Sequence, residues 1–376
     1  MSDLHLPWSF YREQWSPYPP APKGDYLRDK TVVITGATSG KFVIQLLSLG
    51  SAVPPTVLPS LLVIADPFLT CRLISSGIGL QSAKQLADAS PSNLILAVRN
   101  VTAGEKVLKE IQSTHPDLQG KVIHLDLASI SSVKKFSEEI KVYDMIDLLI
   151  NNAGINPGME QIPMQVTDDG YERTFQVNVF APFLLTCLLL PLFKRSSDPK
   201  VLFVGSDAHV IAKEDIIEGA LASGSVDGPA IIRTFNDREK YTTATVYIQS
   251  KLLLQMLTRS LIKPLSSLNI TIINVNPGLT FTNIGSDAKF TLSLQLVYIF
   301  LWVMVNARSA KKAARNITSA SAWKGGSQDY WSSCVPTPSE NTWPYSYKGI
   351  RGTEIFYEEM IQEVEKIGPG CTADLK

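Results

Sequence analysis

Tyr247 and Lys251 stand four residues apart in the run YIQSK, a spacing that puts both on one face of a helix. An unperturbed tyrosine ionises near pH ~10, too high for proton exchange near neutrality. An ammonium one turn away favours the phenolate and brings it toward the working range, which makes the pair a candidate general acid/base. Tyr241 has no such help, because four residues on stands Thr245. Ser206 and His209 invite a nucleophilic reading, but no GxSxG elbow surrounds the serine. The plain alternative for Tyr247 and Lys251 is a solvated helix face, so the residues that accompany them decide.

The accompanying feature is a glycine cluster. Thr35-Gly36-Ala37-Thr38-Ser39-Gly40 follows the apolar run 31–35, whereas Gly77-Ile78-Gly79 appears only after a segment of different character. Deleting residues 41–77 leaves the unbroken octet TGATSGIG. Such an octet makes a phosphate-binding turn: glycines allow positive φ and close backbone approach, and the next helix points its amides at the anion. A lone glycine cluster is more often a plain turn; here the context gives it weight.

These residues need a scaffold. Short apolar runs at 31–35, 93–98, 121–125, 146–150, 200–204 and 270–275 read as buried strands. Between them, 103–114, 132–140, 175–193 and 246–262 carry apolar residues at three- and four-residue spacing, as helices do. Strands alternating with helices predict an α/β fold, a Rossmann-type doubly wound parallel sheet. The expected organisation is an aromatic and proline-rich arm over 1–29, a catalytic domain over 30–285 interrupted by an apolar insertion at 41–77, and substrate-pocket and C-terminal helices of the same domain over 286–376. Residues 207–245 read as a polar loop, a flap on the substrate side.

The ordered set of motifs resembles the short-chain dehydrogenase/reductase family, over residues 30 to 285. The glycine octet is similar to its cofactor loop, Asn151-Asn152-Ala153-Gly154 to its NNAG element, and Asp126-Leu127 to its adenine-side pair. Tyr247 and Lys251 match its YxxxK pair, Pro277-Gly278 its PG turn, and Asn178 and Ser206 fall where its assisting residues are expected. The wording TAGEKVLKEIQ, VNVFAPFLL and YIQSKLLLQ is similar to the branch of retinol dehydrogenases and fungal relatives. The resemblance implies an alcohol/carbonyl oxidoreductase with Asn178, Ser206, Tyr247 and Lys251 as the catalytic set. Ser206 would hydrogen-bond the substrate oxygen, and Asn178 would hold a water serving Lys251. The implied cofactor contacts are Gly36, Thr38, Ser39, Gly40, Gly77, Ile78, Gly79, Arg99, Asp126, Leu127, Asn152, Ala153, Gly154, Tyr247, Lys251, Pro277, Gly278 and Thr280, with no metal. A non-catalytic dinucleotide-binding scaffold or sensor is the alternative, motivated by the interrupted loop.

Arg99 bears on cofactor choice. It stands at the end of the second strand, where a carboxylate would bind the adenosine ribose and an arginine would accept a 2′-phosphate. No Asp or Glu occupies positions 98–100, so NADP(H) is favoured over NAD(H). The 376 residues carry 35 basic and 35 acidic side chains, and this zero balance argues against nucleic acid as a partner. Cys71, Cys187, Cys334 and Cys371 are scattered, with no CxxC pair. A small lipophilic carbonyl or alcohol is the expected partner in a cytoplasmic protein; homodimers built on the helices bearing Asn178 and Tyr247 are common in the family. The uncharged run 290–305 is shorter than the ~20 residues of a membrane span and allows a peripheral membrane contact.

Residues 41–76 have only Lys41, Asp66 and Arg72 as charges and four prolines. The segment reads as a retained intron, the competing reading being a genuine hydrophobic insertion, such as a membrane hairpin, looped out between the first strand and its helix. Gly40-Lys41 is how GGT-AAG, a sequence resembling a 5′ splice junction, would be translated; Leu69-Thr70 can encode CTAAC, and Ser76-Gly77 can contain a terminal CAG. The expected outcome is a dominant transcript lacking this stretch, with cofactor binding in the shorter protein and weak or no binding in the longer one. A dominant transcript that keeps the stretch, with full activity in the longer protein, would refute the intron.

Overall fold

The structure, a computed structural model, describes residues 14–38, 77–158, 161–222, 230–280 and 308–376. Ser39, Gly40, most of the 41–77 insertion and the run 290–305 lie outside the described residues. Eight strands form one sheet in the order β3-β2-β1-β4-β5-β6-β7-β8. They are β1 (Thr31–Thr35), β2 (Asn93–Val98), β3 (Gln119–His124), β4 (Leu148–Asn151), β5 (Lys200–Val204), β6 (Thr271–Val275), β7 (Gln328–Ser332) and β8 (Val335–Pro336). All pairings are parallel except β7 with β8. β1 pairs with β2 on one side and β4 on the other, so the strand order reverses beside β1. The crevice at the carboxyl ends of strands at such a reversal is where open α/β sheets bind ligands.

The helices are α1 (Ile78–Ala87), α2 (Val101–Gln112), α3 (Ile130–Glu139), α4 (Arg173–Phe193), α5 (Asp215–Ala222), α6 (Ala230–Phe235), α7 (Thr243–Ser267), α8 (Ala310–Ser321) and α9 (Tyr347–Ile367). Among the described residues, α4 alone is long and apolar enough to cross a membrane, yet it is mostly buried. Phe175, Phe180, Phe183, Leu184 and Phe193 on it are fully enclosed, which makes it a core helix of the sheet's flank. The strand over 146–150 begins two residues later than its apolar pattern suggests, because Asp147 serves as an anchor below the sheet. Its carboxylate accepts from Thr31 N at 2.8 Å, Lys30 Nζ at 3.0 Å and Ser196 Oγ at 2.6 Å.

The stretch 207–245 is a correction to the sequence reading. Instead of a polar loop it contains α5 and α6, which bury Ile217, Ala220, Ile231, Ile232 and Phe235. Glu359 on α9 holds α6 by its start, its carboxylate accepting from the Ile231 and Ile232 amides at 3.0 Å each. The sheet also extends past residue 285: β7 continues it beyond β6, and α8 packs on α1. Helix α9 lies against α7 and buries Phe356, Met360 and Val364. From residue 14 on, the N-terminal arm is packed on the domain, with Tyr18 and Leu27 buried and Trp15 exposed.

Candidate active site

The two parts of the glycine motif meet at the crevice beside β1. Gly36 has φ +71°, and its amide donates to Ala97 O at 2.9 Å. A Cβ there would sit 2.9 Å from the Cα and Cβ of Ala153. A Cβ at Gly79 would come within 2.6 Å of Gly36 O. Both contacts are too close for any side chain, so each glycine is required by backbone approach. Helix α1 starts at Ile78 with Gly77 as its N-cap and no side-chain capping bond from that residue, and the first amides of a helix are suited to an anion.

Thr35, which sequence reasoning did not place among the site residues, ties the glycine turn to the NNAG segment. Its Oγ1 accepts from the amides of Asn152 at 3.0 Å and Ala153 at 2.9 Å. Asn152 Nδ2 returns a bond to Thr35 O at 2.8 Å. The signal that could have found it is position: it is the last residue of β1, with its hydroxyl beside the neighbouring strand's end.

The second cluster is built on α7. Lys251 is 5% exposed, its Nζ donates to Val204 O at 2.8 Å, and it lies 5.7 Å from the Tyr247 ring centroid. Burial pulls its ammonium down to about 8. Asn178 lies in a π-helical stretch of α4, Gln176–Phe180, a local widening often found at functional sites. Its Oδ1 accepts from Ile155 N at 2.8 Å, and its Nδ2 donates to Ile155 O at 2.9 Å and Ser250 Oγ at 3.0 Å. The side chain is thus committed to fixing the chain just after Gly154. Ser206 follows β5 by two residues, and its Oγ accepts from Ala208 N at 3.1 Å. Through Val204 and Ser250, the bonds of Lys251 and Asn178 converge on the neighbourhood of Ser206 and Tyr247.

The competing groups are elsewhere. His209 Nδ1 donates to Ser206 O at 2.6 Å, which leaves Nε2 to accept from Ser339 Oγ at 2.7 Å. Neither nitrogen is bonded to Ser206 Oγ, and burial lowers the imidazole's pKa. Burial raises the Tyr241 hydroxyl, away from acid/base service near neutrality. Arg99 is exposed just beyond β2. Asp126 Oδ1 accepts from Ala128 N at 2.9 Å, and Leu127 is buried with its carbonyl accepting from Gln176 Nε2 at 3.3 Å. After β6, Gly278 has φ +74°, and Thr280 Oγ1 donates to Gly278 O at 2.9 Å. Asn276, also missed, holds that turn by accepting from Gly278 N at 2.9 Å while its Nδ2 donates to Asp207 Oδ1 at 2.5 Å. Its place directly before Pro277 is the only hint the sequence offers.

A parallel sheet with a strand-order reversal, a glycine cradle at that point and a helical Tyr/Lys pair defines a dinucleotide-dependent oxidoreductase scaffold. The short chain dehydrogenase family model matches residues 74–216. The chain is 32% identical over 241 residues to human (Homo sapiens) retinol dehydrogenase 13, a match covering 62% of this chain and 66%, just under two thirds, of that protein. It is 30% identical over 315 residues to the short chain dehydrogenase/reductase dmxR8 of Cryptosporiopsis sp., covering 79% of this chain and 90% of that one. A solved, uncharacterised protein from Mycobacterium paratuberculosis shares the fold with a TM-score of 0.59 at 22% identity, over 92% of this chain and 96% of the other. The chain belongs to the short-chain dehydrogenase/reductase family, a family of NAD(P)-dependent oxidoreductases.

The buried ammonium generates a test. Because the folded-state pKa of Lys251 lies near 8, below its unfolded 10.5, the unfolded chain binds more protons between those values, and stability rises with pH across that window. The cost of the buried charge is complete below pH 8. Lys251→Met is expected to raise stability at pH 7 by about 1–2 kcal/mol after allowing for the lost hydrogen bond, with the gain shrinking from pH 8 toward 10.5. Urea unfolding at pH 7 and pH 10 reads it, and a variant less stable at pH 7 would contradict the assignment.

Proposed function

We propose that this protein interconverts an alcohol and a ketone or aldehyde with NADP(H), Tyr247 exchanging the proton. The observation that carries the reading is the buried Lys251 ammonium, one helical turn from Tyr247 and bonded to the last carbonyl of β5. A positive charge in that position favours the phenolate form of its neighbour. When bound, the nicotinamide supplies or takes the hydride. In reduction the Tyr247 hydroxyl gives its proton to the substrate oxygen, and in oxidation the phenolate takes the proton of the alcohol. Ser206 holds that oxygen by a hydrogen bond. Asn178 fixes the segment after Gly154, and so one wall of the site.

The cradle suits a pyrophosphate: Gly36 and Gly79 have no room for a Cβ, and the α1 amides carry no side-chain cap. Asn152 and Ala153 pack directly against its glycines, and Gly154 and the Pro277-Gly278-Thr280 turn would complete the cofactor contacts. Preference for NADP(H) rests on Arg99, exposed beyond β2, with the neighbouring Asn100 occupied in capping α2 through Ala103 N at 2.9 Å. Asp126, the nearest carboxylate in the site's adenine-side pair, accepts from its own turn. The likeness to retinol dehydrogenase 13 favours a lipophilic substrate.

Two outcomes test this. Tyr247→Phe should lower kcat by about 10²–10⁴-fold with NADPH affinity nearly unchanged, whereas Lys251→Ala impairs both; a Phe variant with substantial turnover would remove Tyr247 from the chemistry. Arg99→Asp should move the kcat/KM ratio from NADPH toward NADH, since a carboxylate repels the 2′-phosphate. An unchanged ratio would take Arg99 out of the site.

A further inference from the structure

The turn at Gly278 is held from behind by a residue the fold recruits from far away. A Cβ at Gly278 would strike Arg308 Nη1 and come 3.2 Å from Tyr18 Oη, so both groups sit directly against the turn's backbone. Arg308 is 2% exposed, and its amide donates to Leu279 O at 2.8 Å. Its guanidinium carbon stands 3.7 Å from the Tyr18 ring centroid, and Nη1 donates to Tyr18 Oη. Asn316 Nδ2 donates to the same oxygen at 2.8 Å. Burial pushes the Tyr18 hydroxyl up to about 12 against the opposing pull of Arg308, so the phenol stays neutral and keeps accepting these bonds. Arg315 Nη1 reaches the Tyr18 and Pro19 carbonyls at 3.4 Å each, fastening the arm on α8.

We propose that Tyr18 of the N-terminal arm is a positioning residue for the cofactor, acting through Arg308 to hold the Pro277-Gly278 turn in its binding shape. The proposal rests on the reading that this turn contacts the dinucleotide. Asn276 fixes the turn from the β6 side, and Tyr18 with Arg308 closes the opposite side. Removing the ring takes away a buried cation–π contact and the acceptor of two hydrogen bonds, and leaves a cation next to the turn with room to move.

The test compares Tyr18→Ala and Tyr18→Phe with Tyr26→Phe and Gly278→Val. Tyr26 belongs to the same arm, but its hydroxyl meets Ser321 Oγ at 3.2 Å, at the far end of α8. In the cofactor-free full chain, Tyr18→Ala should speed hydrogen–deuterium exchange of peptides covering 276–280 by about tenfold, with Tyr18→Phe intermediate and Tyr26→Phe like wild type. With cofactor, in whichever form of the chain, with or without residues 41–77, binds NADPH, Tyr18→Ala should raise the NADPH KM by about tenfold while kcat at saturation stays within about threefold. A purely structural role would lower kcat through loss of active protein and leave the cofactor KM alone. Should Tyr18→Ala fail to fold, the Phe variant carries the same comparison. Unchanged exchange at 276–280 in both Tyr18 variants overturns the proposal. Unchanged cofactor KM in Tyr18→Ala, with binding lost in Gly278→Val, overturns it while leaving the reading of the turn intact. Unaltered binding in Gly278→Val defeats that reading itself.

Discussion

The structure turns on one ammonium group placed where water does not reach. A charged Lys251 inside a protein is tolerated only with a partner that stays put, and that partner is the Val204 carbonyl at the end of β5. The bond fixes α7 against the carboxyl end of β5, and with it the distance from Tyr247 to the segment holding Ser206. Ser250, next to the lysine, donates to Tyr247 O at 2.7 Å and accepts from Asn178, so α4 is tied into the same unit. A helix carrying such a load must be held on its outer side as well. Helix α9 does this with Phe356, Met360 and Val364, and its Glu359 secures α6.

What the sequence made legible follows from where the information lies. The strands at 93–98 and 200–204 were readable because a strand buried on both faces must be apolar along its length, as these are after the polar first residues Asn93 and Lys200. The same logic fails for β7, whose QDYWS carries polar residues although Tyr330, Trp331 and Ser332 are buried. Helices α5 and α6 were invisible for another reason. They are short, with little apolar pattern each, and their holding bonds come from more than a hundred residues later in the chain: Glu359 accepts from the start of α6, and Trp343 Nε1 donates to Glu218 of α5 at 3.2 Å. No local window contains those partners. Tyr247 and Lys251 were legible because their coupling spans a single helical turn, whereas Tyr18 and Arg308 meet only after the whole domain has folded.

The charge balance is also explained by how the site handles anions. A protein without basic excess can still receive a pyrophosphate when the attraction comes from backbone amides, since these cost no net charge. The uncapped start of α1 at Gly77 and Ile78 offers such a surface. Charged side chains stand apart from that surface, with Arg99 exposed past β2 and Lys251 held beside Tyr247. Backbone amides leave no mark on composition, which is why composition alone could argue against nucleic acid but could not argue for a dinucleotide.

The division of the glycine motif can be judged by the same accounting of bonds. Gly36 is held by Ala97 and packed on Ala153, and Thr35 binds the amides of Asn152 and Ala153. On the other side of the interruption, α1 is held by α8, where Gln85 Nε2 donates to Lys311 O at 2.8 Å and Thr318 Oγ1 donates to Gln85 Oε1 at 3.2 Å. Among the described residues, each half of the cradle therefore has its own anchors. The two halves thus reach the crevice by separate anchors, and they meet where a Cβ at Gly79 would come within 2.6 Å of Gly36 O.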